Sequence, residues 1–302
     1  MDLNNYVEFA RTFPWFFPTV ALVFGALIGS FLNVCIYRIP AGKSVVRPGS
    51  HCACGQPIKW YDNIPILSWL ILRGRARCCG RRFSFRYPAI ELLTALIFFA
   101  CWKLLPPTQA VCGWVFASAL LCATFIDLDS FEIPDRFSVG LGVVGFVLSI
   151  AFPALHNQQH EIFVVASLRS ATIALEGMFI GAGLVVWIAV IAYAILKKDS
   201  MGFGDVKLVG GIGAFTGWQG TITAVFGGAL LGTLWFIGAT LWQKISGKKI
   251  EMKSPEPGQE PVDLSLEAHI PFGPMIAVAG FLHYLFLHRY VAAYFEQLSS
   301  LL

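Results

Sequence analysis

Two aspartates and four cysteines are the residues whose setting invites chemistry. Asp205 lies in MGFGDVK, residues 201–207, between long apolar segments. Asp127 closes another apolar run in FIDLDSFEIPD, residues 125–135. A carboxylate in hydrocarbon costs about 2.5–3.5 kcal/mol on insertion scales, so such residues mark functional sites by default. Two carboxylates brought together share a proton. One stays ionised and can activate water; the other stays neutral and can polarise a scissile carbonyl. The pair titrates as a unit, so neither role is assigned to either residue. Gly202 and Gly204 remove bulk and permit backbone conformations that other residues resist, which gives a substrate backbone room near Asp205. The competing reading makes Asp205 a helix cap and lets acids end helices at the interface. That second reading is the one adopted for Asp129, Glu132 and Asp135.

The cysteines with chemical potential are Cys52, Cys54, Cys78 and Cys79, a CxC and a CC in one basic loop. The charge pattern below places this loop in the cytoplasm, where disulfides rarely persist. Four thiols in two clusters then point to a tetrahedral thiolate site, with zinc the expected metal. CxC and CC set their ligands closer together than a zinc knuckle prefers, so a compact basic subdomain with free thiols is the alternative. Cys35, Cys101, Cys112 and Cys122 fall in apolar spans, where cysteine packs as a small hydrophobe.

These residues need elements to hold them. The chain of 302 residues is 56% hydrophobic and 13% charged, with a mean hydropathy of +0.67. Soluble domains are about 25% charged, so this is a multi-pass membrane protein. The first apolar run is too long for a signal peptide and has no small-residue cleavage site after it. Runs able to cross about 30 Å of hydrocarbon occur near residues 14–37, 88–105, 109–126, 136–154, 170–196, 220–242 and 271–290. A shorter Gly-rich run at 205–218 makes either seven spans or eight. Residues 38–87 hold Arg38, Lys43, Arg47, Lys59, Arg73, Arg75, Arg77, Arg81, Arg82 and Arg86 against one acid, Asp62. The positive-inside rule makes that loop cytoplasmic. Eight spans then put Lys197, Lys198, Lys244, Lys248, Lys249 and Lys253 inside as well, and Asp127 and Asp205 on the same membrane face. Pro134 suits the first turn of the helix after Asp127. Residues 243–270, polar and Pro-containing, read as a flexible linker.

The expected fold is therefore an all-α polytopic membrane protein of about eight transmembrane helices, with a cysteine-containing cytoplasmic loop domain between helices 1 and 2. Its divisions are a first helix at 1–37, the loop at 38–87 and a helical domain at 88–302. The lipid bilayer is a partner and no nucleic acid is expected.

The motifs, taken in order, resemble the bacterial type IV prepilin peptidases. GSFLNVCIYRIP (29–40) is similar to the family's first-span signature, and residues 63–95 look like its cytoplasmic loop. FIDLDSFEIPD and MGFGD match its two aspartate motifs, and PFGP (271–274) resembles its last-span motif. The resemblance implies a GxGD-type intramembrane aspartic protease whose catalytic residues are Asp127 and Asp205, with no metal needed for proteolysis. It implies cleavage after a glycine that ends a short basic leader, on a type IV prepilin or a type II secretion pseudopilin. It also implies methylation of the new N-terminal residue with S-adenosylmethionine (S-adenosyl-L-methionine), and a place in the bacterial inner membrane with the active site facing the cytoplasm. No cofactor-binding residue is singled out. The family commonly carries two CxxC pairs, and this chain departs from that.

Other polar residues have quieter expectations. Glu91 pairs with a loop arginine, Glu176 faces a neighbouring helix, and His283 is a packed hydrogen-bonding residue. Lys207 either acts on a nearby acid or snorkels. Asn33 and Arg38 anchor the loop or take part in S-adenosylmethionine binding. Two other functional classes fit the acids: a non-catalytic assembly scaffold, and an ion transporter with Asp127 and Asp205 as ligands.

Overall fold

Apolar segments in hydrocarbon fold as helices because their backbone groups have no other partner there. In the structure, a computed structural model, residues 8–9, 11–197, 201–247, 251–252, 262–263 and 271–299 are described. The helices are α1 (Phe16–Arg38), the short α2 (Leu67–Ile71), α3 (Arg86–Leu104), α4 (Pro107–Ser130), α5 (Val139–Ala151), α6 (Phe163–Leu196), α7 (Phe203–Ser246), α8 (Gly273–Leu282) and α9 (His288–Ser299). Single 3-10 turns occur at Trp60–Asn63 and Pro153–His156, and a π turn at His283–Leu287 joins α8 to α9. Prolines near the starts of α1, α3 and α4 fall where no intrahelical N–H is lost.

Five helices, α1, α3, α4, α6 and α7, are long and apolar enough to cross a membrane, and α5 is a shorter apolar helix. The 44-residue α7 is two helices, because Gly217 has φ 67° and ψ −175° inside it. Only glycine takes such a conformation without strain. The break falls where the Gly-rich run and its successor meet. Divided there, and with α8 and α9 counted as one pass, the described residues hold eight apolar helical segments.

Two boundaries differ from expectation. Helix α6 begins at Phe163, earlier than residue 170, because FVVAS continues the helix ahead of Arg169. Helix α5 begins at Val139, so Pro134 sits in the preceding turn and not in its first turn. The expected linker at 243–270, with Lys248, Lys249 and Lys253, lies largely outside the described residues, as does Lys198. Within it Glu251–Met252 pairs antiparallel with Val262–Asp263.

The chain forms two units, residues 1–122 and 123–302, and α4 crosses from one to the other. In the first unit α1 lies directly on α3: a Cβ on Gly25 or Gly29 would strike the backbone at Ala95 or Glu91. Phe98 stacks on Trp114 at 5.0 Å and 4°, and Trp114 Nε1–H donates to the Phe98 carbonyl at 3.0 Å. In the second unit α6 and α7 touch backbone to backbone at Gly177 and Gly213, leaving no space for a Cβ on either. Small residues at such crossings let helices approach where no hydrophobic effect drives them together. Leu208, Val209, Ile212, Phe215 and Ile276 fill this unit's interior. Phe179, Trp187, Ile191 and Ile195 point outward from α6, as expected of a lipid-facing helix. Glu176 is also exposed there, contrary to the expectation that it meets a neighbouring helix.

The α6–α7 crossing gives a direct test. Gly177→Leu should lower the thermal midpoint of the detergent-purified protein and its membrane yield, consistent with the roughly 1–3 kcal/mol of overpacking. Gly183→Leu, on the same helix but with open space around it, should leave both unchanged.

Candidate active site and cysteine cluster

Asp127 stands in the last turn of α4. The helix stops at Ser130, and Phe131 turns the chain with φ 55° while its N–H returns to the Asp127 carbonyl at 2.8 Å. The loop to α5 is closed by the Pro134 carbonyl, which accepts from Phe137 N–H at 2.9 Å and from the Ser138 hydroxyl at 3.3 Å. Asp205 is the third residue of α7, and its N–H meets the Gly202 carbonyl at 3.1 Å. A carboxylate in that turn faces the positive end of the helix dipole.

Both side chains are buried, Asp127 at 6% exposure and Asp205 at 9%. They are close enough that the charge of Asp205 acts on Asp127, whose carboxylate also accepts the Gly273 N–H. The two acids singled out in the sequence thus lie in one unit, within reach of each other's charge. Asp135 is drawn in differently: Lys207 Nζ lies 2.6 Å from its Oδ1 and 5.0 Å from the Phe203 ring centre. Lys207 therefore ties the loop after Asp127 to the helix carrying Asp205. His283 is buried with Nδ1 3.1 Å from Thr223 Oγ1, a packing contact as expected.

The glycines before Asp205 serve space and not conformational freedom. Gly202 is ordinarily extended, with φ −76° and ψ 150°, and Gly204 is helical. A Cβ on Gly204 would stand 3.3 Å from Ile133. What the sequence did not single out is Gly273, against Asp127; its motif was visible, but a glycine carries no side chain to announce a contact.

The four loop cysteines converge, with every sulfur within 4.8 Å of the others. Cys52 and Cys79 sulfurs are 3.5 Å apart, and Cys54 and Cys78 sulfurs 3.4 Å. Tetrahedral zinc with thiolates at about 2.3 Å needs sulfurs roughly 3.8 Å apart, so the set fits a metal. The tight spacing works because each pair sits on a turn closed by a positive-φ glycine, Gly55 or Gly80. Backbone amides face the sulfurs too: Cys54 N–H donates to Cys52, and Arg81 N–H to Cys79. The Cys54 amide above all holds the Cys52 thiol down at about 7. Cys78, whose thiol donates to Cys54 and Cys52, is pushed up to about 12. Beside this cluster Arg77 grips Asp62 with a 2.8 Å ion pair. Its guanidinium holds the Asp62 carboxyl below the usual range.

The loop is moored to the first unit's helices. Arg38 donates to the carbonyls of Ser44, Pro48 and Gly49 at 3.0, 2.7 and 3.3 Å. Asn33 Nδ2 donates to the Tyr87 carbonyl at 3.1 Å. Buried Glu91 accepts the Ile66 N–H at 2.7 Å, where a loop arginine was expected. That contact holds Ile66 at φ 63°, a rare conformation for a β-branched residue. The remaining cysteines, Cys35, Cys101, Cys112 and Cys122, are buried in helices.

Residues 23–104 match the family model for the bacterial peptidase A24 N-terminal domain, and residues 114–237 that of the type IV leader peptidase family. A prepilin leader peptidase/N-methyltransferase from Dickeya chrysanthemi is 32% identical over 93% of this chain and 95% of its own. Its counterpart from Myxococcus xanthus is 34% identical over 83% of this chain and 71% of its own. A type 4 prepilin-like proteins leader peptide-processing enzyme from Escherichia coli is 36% identical over 68% and 80%. The chain belongs to the type IV leader peptidase family. No solved structure matches it. As a member of that family it places both of its motif aspartates in the second unit, and the cysteine loop in the first.

The cluster yields a measurable expectation. Purified protein should carry about one equivalent of thiophilic metal by elemental analysis, and Cys54→Ser/Cys78→Ser should carry none. Thiol ligands must shed protons to bind. Retention against a competing chelator should therefore weaken as pH falls.

Proposed function

We propose that this chain is an intramembrane aspartic endopeptidase that removes the leader of type IV prepilins or type II secretion pseudopilins after glycine. In this reading Asp127 and Asp205 are the catalytic pair. The observation that carries it is the burial of both carboxylates, within reach of each other's charge, where two transmembrane helices end and begin. Like charges held together in a nearly dry site retain one proton between them. The ionised carboxylate takes a proton from water as the water oxygen bonds to the scissile carbonyl carbon. The neutral carboxyl donates its proton to the carbonyl oxygen. Collapse of the tetrahedral intermediate breaks the C–N bond, and a proton passes to the leaving amine. No metal takes part in these steps.

The orientation follows from the basic loop. With residues 38–87 in the cytoplasm, both acids lie at the cytoplasmic face of the bacterial inner membrane, level with a leader that stays inside. The loop at 38–87 and the helices at 88–302 then divide the work. The four cysteines hold zinc, which cross-links a loop too small for a core of its own. Arg38, Asn33 and Glu91 fix that loop to the helices. The helices cut; the loop serves N-methylation of the new N-terminus. S-adenosylmethionine supplies the methyl group when bound.

Asp127→Asn and Asp205→Asn should each lower cleavage of a prepilin-like peptide by at least the 10²–10⁴-fold typical of a lost acid–base group, with membrane insertion intact. Retained pilus assembly without cleavage would favour a scaffold. An ion-dependent phenotype without processing would favour a transporter. With S-adenosylmethionine present, mass spectrometry of the product should show one added methyl at its N-terminus; an unmodified terminus contradicts that part of the reading.

A further inference from the structure

Gly273 opens α8 within a first turn whose amides are otherwise accounted for. Phe272 provides no side-chain cap. Pro274 has no N–H to give. The N–H groups of Met275 and Ile276 both go to the Phe272 carbonyl, at 3.0 and 3.2 Å. The Gly273 N–H goes instead to the Asp127 carboxylate. A Cβ at this position would stand 2.5 Å from Asp127 Oδ2 and 3.0 Å from Ile133 Cδ1. Ile133 in turn packs against Gly204, the residue before Asp205. The start of α8 thus touches one acid directly and reaches the flank of the other through one side chain.

We propose that Gly273 is a positioning residue for the cleavage reaction. Its amide holds the Asp127 carboxylate, and its missing side chain leaves that carboxylate the one orientation in which it can share water with Asp205. A charge-assisted hydrogen bond from a rigid helix start is short and directional. It costs no reorganisation when the water is activated. Any side chain at 273 displaces the carboxylate. The inference rests on Asp127 being catalytic, as proposed above.

The test compares Gly273→Ala, Ile133→Ala and the double variant with the unaltered protein on one prepilin-like peptide. Gly273→Ala should lower kcat on the order of 100-fold, as a misplacement of about 1 Å can. KM should stay within about threefold, because the contact is to the reacting group and not to bound substrate. Ile133→Ala relieves the second clash only, so it should not restore the double variant. Recovery of activity in the double variant would show that Gly273 merely makes room for Ile133, and would overturn the proposal. So would near-normal kcat in a folded Gly273→Ala.

Should Gly273→Ala fail to fold, the unaltered protein still decides. Labelling Phe carbonyl carbon and Gly amide nitrogen isolates the four Phe–Gly amides of the sequence in an NMR spectrum. One amide proton should lie downfield and move upfield in Asp127→Asn; four that do not move would contradict the hydrogen bond. Full activity of Asp127→Asn would instead sink the catalytic reading itself, which keeps the two failures apart.

Discussion

The second unit is built around an unfavourable placement: two buried carboxylates, Asp127 and Asp205, within reach of each other's charge. Neither tolerates that setting alone, and each makes the other's charge harder to bear. The surrounding chain offsets this with what the fold has at that spot. Asp205 is the third residue of α7 and meets its dipole. Asp127 takes the open amide at the start of α8. Lys207 and Asp135 clamp the two acid-bearing stretches together just outside. These supports come from three different parts of the chain, so the pair exists only when the unit is folded.

Close helix approach makes that convergence possible. Gly177 against Gly213 brings α6 and α7 into backbone contact, and Gly217 breaks α7 so that its first half ends where the second begins. The first unit solves a different problem. Its basic loop leaves many of its large apolar side chains exposed, and it is held by converging sulfurs, by the Arg77–Asp62 pair and by Arg38 on three carbonyls. The second unit gathers its acids into a buried pair, while the first uses its polar groups to hold a loop in shape.

Much of this was legible because membrane insertion writes strongly into sequence. An acid ending an apolar run costs enough to be noticed, so Asp127 and Asp205 stood out without a structure. Long apolar runs gave the helices, and the Gly-rich run before residue 218 gave the break in α7. What escaped depends on contacts between distant residues. Gly273 is silent until Asp127 is seen beside it. Glu91 was assigned an arginine and has the Ile66 amide. Glu176 was placed against a helix and faces outward. The CxC and CC spacings are closer than a zinc knuckle prefers, and what lets them converge, the turns closed by Gly55 and Gly80, is a backbone feature. Helix α6 starts at Phe163 and not at residue 170, because one charge, Arg169, within an apolar helix does not end it.

Asp127 and Asp205 must meet if they are to share one water. Cysteine placed at both positions, in membranes, and treated with a short bifunctional thiol reagent measures this directly. A cross-linked peptide joining positions 127 and 205 by mass spectrometry is the predicted result. Reagent attached singly at each position, with no bridge between them, would contradict the account.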